Sequence, residues 1–117
     1  MTYVSGFVTP VEESRRAEYL QSAKDAWPLF KEYGAVSMME NWGDNVPEGK
    51  QTDLRRAVDL KNGETVVYSF IVWPDRETSK ACEDSYETDE RWHSLAMPFD
   101  GKRMIYGGFE TIFSAEA

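Results

Sequence analysis

His93 is the single histidine in these 117 residues, and histidine is the side-chain type that ordinarily titrates near neutrality. It is therefore the acid/base candidate of the sequence. It stands between Trp92 and Ser94 in a polar stretch, where a surface or capping role competes with catalysis. With no second histidine, and with acidic groups such as Glu12-Glu13 and Glu83-Asp84 reading as solvated helix faces, no metal site and no cofactor is expected. Cys82 falls on an apolar helical stripe away from a helix start, which predicts a buried, inert thiol. The spacings of a nucleophile elbow, a phosphate-binding glycine loop and a zinc site are all missing from the sequence. The remaining candidates are aromatic and cationic. Trp42, Tyr68, Phe70 and Tyr106 are expected to line a pocket between a sheet and its covering layers, with Arg55, Arg56 or Arg103 as charged anchors.

The elements that would position these residues follow from pattern. Tyr3 to Val8 is β-branched and aromatic and predicts a first strand, in which Gly6 marks a bulge or a close approach. Thr9-Pro10-Val11-Glu12 has capping-box spacing with proline at the first helical position. A helix is expected to follow, its apolar stripe running through Tyr19, Ala23, Trp27 and Phe30 to a stop at Gly34. Pro28 costs a helix interior about 3 kcal/mol unless the helix bends, so a kink is expected between Lys24 and Pro28. Ala35 to Trp42 reads as a second strand with Val36, Met38 and Trp42 on one face, followed by a turn-rich loop from Gly43 to Asp53. Leu54 to Leu60 reads as a weaker strand joined through Asn62-Gly63 to Thr65 to Trp73, the clearest central strand. Pro74-Asp75 opens a second helix through about Asp89, with a thin stripe of Ala81, Cys82 and Tyr86. Met97 to Phe113 then turns at Asp100-Gly101 into a last strand with apolar residues on both faces, as if covered on both sides. Its Gly107-Gly108 pair predicts a bulge, or room for a ligand or a close backbone.

This length fits one domain, residues 1–117. The net charge of −8 argues against a nucleic-acid surface, no run reaches the length of a membrane helix, and no basic-then-apolar leader pattern opens the sequence, so a cytoplasmic protein is expected. The element order predicts an α+β fold, a ferredoxin-like βαββαβ antiparallel sheet with both helices on one face. The opposite face would be bare in one chain. A second copy of the same chain is the simplest cover, which predicts a homodimer.

YVSGFVTPV, ETVVYSFIVW and especially MPFDGKRMIYGGFE resemble the YbaA-like family of uncharacterised bacterial proteins over nearly the whole chain. The resemblance implies a dimeric α+β barrel and transfers no activity. Two functional classes stay open: a binder or enzyme for a small apolar or aromatic molecule held in the barrel, and a non-enzymatic dimeric structural or protein-interaction module.

Overall fold

The computed structural model describes residues 2–117. Four strands, β1 (Tyr3–Glu12), β2 (Ser37–Trp42), β3 (Glu64–Trp73) and β4 (Ile105–Glu110), form one antiparallel sheet in the order β2-β3-β1-β4. Two helices, α1 (Arg16–Glu32) and α3 (Arg76–Thr88), pack on one face, and a single turn of helix, α2 (Leu54–Ala57), lies between β2 and β3. This is the ferredoxin-like arrangement. Among the described residues no helix is long and apolar enough to cross a membrane.

The ten-residue pairing of β1 with β3, from Tyr3 opposite Trp73 to Glu12 opposite Glu64, places the odd residues of both strands under the helices. Ile71 and Trp73 join Leu29, Cys82 and Trp92 in the main core, while Val11, Tyr19 and Val67 form a second cluster beside it. Trp73 is 1% exposed and still satisfied, its indole N–H donating to Ser5 Oγ at 3.0 Å. Cys82 is wholly buried, and burial pushes its thiol up to about 11, away from the reactive thiolate.

Several elements depart from their expected form. β1 runs on through Thr9, Pro10 and Val11 instead of yielding to a capped helix. Beyond Val8 it is paired with β3 but not with β4, so a residue without an N–H is tolerated there, and burial of all three residues outweighs the capping pattern. α1 starts at Arg16 after a 3-10 turn, Glu13–Arg15, and continues through Pro28 without interruption. Leu54 to Leu60 is no strand: Asp53 caps α2 by accepting the Arg56 N–H at 2.7 Å. Asn62-Gly63 is accordingly a turn into β3, with Gly63 at φ 82°, and the strand partner of β3 on that side is β2. β4 is an edge strand, and the single chain alone leaves its apolar residues open. In the single chain Tyr106 and Phe109 are 70% and 59% exposed, and Ile112 and Phe113, beyond the strand, 89% and 83%.

The glycines of β1 and β4 are explained by aromatic rings on opposite faces. The Phe109 ring lies across Gly6 and Gly107, where an added Cβ would sit 3.4 and 3.2 Å from it, and Tyr3 covers Gly108 from the helix side.

A buried-edge ion pair fixes the start of β3. Arg103 donates to both carboxylate oxygens of Glu64, at 2.8 and 2.7 Å, and to Asp100 at 2.9 Å. The Glu64 and Arg103 side chains are 10% and 14% exposed, so water screens the pair weakly. Hydrogen bonding from Arg103 holds the Glu64 carboxyl below its ordinary range. A carboxyl depressed in the folded state contributes stability that is full above the unfolded value and lost as pH falls through the folded one. Urea denaturation of wild type and Glu64→Gln should therefore differ most above about pH 5 and converge as the pH falls below the ordinary glutamate range. Gly34, at φ 104°, closes α1 where an added Cβ would lie 2.6 Å from Thr78 Cγ2. Gly34→Ala should cost about 1–2 kcal/mol or more in the same assay.

Candidate functional site

Between α1, the helix-covered face of the sheet and the segment 95–104 lies a cavity of about 340 Å³. Its floor is set by the odd positions of β1 and β3 and the even positions of β2: Phe7 and Thr9, Ser69 and Ile71, Met38 and Glu40. One wall is α1, whose Tyr19, Ala23, Ala26 and Phe30 recur at helical spacing, two of them small enough to leave the space open. The roof is Trp92 and His93 of the 3-10 turn Glu90–Ser94, then Leu95, Phe99 and Met104.

The polar groups gather at one end. Tyr19 Oη donates to Glu40 Oε1 at 2.7 Å, and Ser69 Oγ donates to the same oxygen at 2.6 Å. Tyr19 is held there by Trp42 and Phe99, with ring centroids 6.3 and 6.1 Å away. Burial, then the facing Glu40 carboxylate, raises the Tyr19 phenol well above its ordinary range, which keeps it a donor. Arg16 stacks on the outer side of the same assembly, its guanidinium carbon 5.4 Å from the Trp42 ring centre. Glu40 itself is solvent-exposed, so its carboxylate marks where the cavity meets the surface.

His93 lines this cavity, with Nε2 at 3.0 Å from the Tyr86 carbonyl. The other expected pocket residues do not line it. Trp42 stands behind Tyr19, and Tyr68 and Phe70, 5.9 Å apart, lie on the open face of the sheet. Tyr68 and Tyr106 border a shallow depression beside Phe109 and the two glycines it covers. Arg56 donates to the Gln51 and Gly49 carbonyls and pairs with Asp53, organising its own loop. Arg55 stands exposed on α2, and Arg103 is committed to Glu64 and Asp100. Among the described residues, no three His, Cys, Asp or Glu side chains are grouped as metal ligands would be.

Glu40, Tyr19 and Ser69 went unread as a site in the sequence, although one signal was there. Glu40 sits between Met38 and Trp42 in the period-two pattern of an inward face, and a charge at such a position calls for partners.

Comparison with known proteins gives the family and the fold. The uncharacterised protein YbaA of Escherichia coli strain K12 is 46% identical over 114 residues, covering 96% of this chain and 97% of that protein. The YbaA protein of Shigella flexneri matches to the same extent, 46% over 114 residues. Among solved structures, a dimeric ferredoxin-like protein from an uncultured marine organism superposes with a TM-score of 0.60 at 9% identity, each chain covered in full. A proposed antibiotic biosynthesis monooxygenase from Bacillus cereus gives 0.59 at 12% identity, covering 100% of this chain and 97% of that one. Residues 2–101 match the family described as protein of unknown function, DUF1428, and with its YbaA relatives the chain belongs to that family.

Proposed function

We propose that this protein binds a small apolar or aromatic molecule in the cavity between α1, the sheet and the 95–104 segment, as a homodimer. The observation that carries the reading is the cavity itself. Its volume of about 340 Å³ is that of a small-ligand site, its walls are largely apolar, and its few polar side chains include the Glu40, Tyr19 and Ser69 group at one end. The Bacillus cereus neighbour supports a small-molecule role for this architecture, and at 12% identity it lends the fold and not the reaction.

Dimerisation is supported by the bare face of the sheet. Val4, Val8, Tyr68, Ile105 and Phe109 line one shallow apolar surface, of which Tyr68 and Phe109 are 52% and 59% exposed. Similar folds among solved structures are described as dimeric. A cytoplasmic location is part of the same proposal, and the single cysteine agrees with a reducing compartment. A second reading, a non-enzymatic interaction module, draws on Ile112 and Phe113, which stand 89% and 83% exposed beyond β4.

Calorimetric titration with naphthalene tests the cavity. Wild type should bind it with a negative heat-capacity change, and Ala23→Phe, which fills the space beside α1, should weaken binding at least about tenfold. Heat of dilution alone from the wild-type protein, with naphthol as well as with naphthalene, would sink the reading. For the dimer, light scattering at micromolar protein should give twice the chain mass for wild type and a monomer for Tyr68→Glu, which places a charge in the proposed interface. A wild-type monomer would remove it.

A further inference from the structure

Among the described residues, no lysine or arginine lines the cavity, and Glu40 is its one acidic side chain. The donors around that carboxylate are already spent. Tyr19 and Ser69 both direct their hydroxyl hydrogens to Oε1, at 2.7 and 2.6 Å, whereas Oε2 has no hydrogen-bond partner among the described residues. His93 does not restore a free donor through Nε2, which faces the Tyr86 carbonyl at 3.0 Å, and a carbonyl can only accept. The polar end of the cavity therefore offers a carboxylate oxygen with no lysine or arginine among the lining residues.

That arrangement sorts ligands by charge and by hydrogen. A carboxylate or phosphate entering would meet the Glu40 carboxylate at the mouth of the cavity, with no lysine or arginine on the lining to offset the repulsion. A purely apolar ligand would leave Oε2 to water. A ligand with an apolar ring and one hydroxyl would place the ring against Phe7, Phe30, Ile71 and Phe99 and its O–H on Oε2 as a charge-assisted hydrogen bond.

Resting on the small-molecule reading above, we infer that the cavity selects neutral aromatic alcohols over organic anions, with Glu40 Oε2 accepting the ligand hydroxyl. Arg103, expected from the sequence as a charged anchor of the pocket, is turned instead toward Glu64 and Asp100. The ligand class is thus set by the acidic member of the site.

Three probes of one ring system test this: naphthol, naphthalene and naphthoate, titrated into wild type and Glu40→Gln. The glutamine carbonyl can still accept the Tyr19 and Ser69 hydroxyls, so the variant keeps its local packing. Naphthol should bind wild type at least about fivefold more tightly than either of the others, a partly exposed charged hydrogen bond lying near the low end of its range. In Glu40→Gln that preference should shrink and the deficit of naphthoate should narrow. Naphthoate binding as well as naphthol, or a naphthol preference unchanged in Glu40→Gln, would overturn the selection and leave the cavity reading in place. Absence of binding by all three would remove both.

Discussion

The long pairing of β1 with β3 is the constraint on which the rest of the molecule depends. Ten consecutive residue pairs leave no freedom of register, and side-chain alternation then assigns every residue of both strands to a face. Phe7, Thr9, Ser69 and Ile71 are sent beneath the helices, where they become a cavity floor, while Val4, Gly6, Val8, Tyr68 and Phe70 go to the opposite side. A slip of one residue would exchange these sets. It would bring Tyr68 and Phe70 into the cavity and put Ser69 outside, separating it from Glu40. Site and open face are two readings of a single register.

The neighbouring β2–β3 ladder explains how a carboxylate is seated at the mouth of an apolar cavity. Glu40 faces Ser69 across the β2–β3 pairing, so the hydroxyl that satisfies it comes from the neighbouring strand at no cost in extra structure. Tyr19 is delivered from α1 and wedged between Trp42 and Phe99. Three elements thus converge on one carboxylate oxygen, and the aromatic wedge fixes the phenol that a free helix side chain would leave mobile.

The architecture was legible in the sequence because its strongest signals are periodic. The doubly apolar run Thr65 to Trp73, the helical stripe ending at Gly34 and the Pro74-Asp75 helix start each survive in the structure, the last through Asp75 accepting the Thr78 N–H at 2.8 Å. Thr9 to Glu12 was misread because a capping pattern is local, whereas burial of Thr9 and Val11 at 2% and 1% depends on a strand more than fifty residues away. Leu54 to Leu60 failed for the opposite reason, a cap at Asp53 being overlooked in favour of a weak strand pattern. The candidate pocket mixed Trp42 and Tyr106 with Tyr68 and Phe70, which lie on opposite faces once the register is known. Hydrophobicity identifies an inward or interfacial residue and not which of two sides it serves.

On the proposed binding reading, the roof would govern the timing of ligand exchange. From Leu95 to Met104 the described backbone hydrogen bonds are short-range turns, such as Phe99 N to the Met97 carbonyl at 2.8 Å, with none to a strand or helix of the sheet layer. At its two ends it is pinned by arginines: Arg91 to Glu32 of α1 and to Asp89, and Arg103 to Glu64 of β3. Lifting the span between these pins breaks no ladder and unwinds no helix, so its free energy of opening is separate from that of global unfolding. On that reading, residence time would be tuned at positions of this span other than Leu95 and Phe99, which pack on the core clusters, and Arg103, which anchors β3.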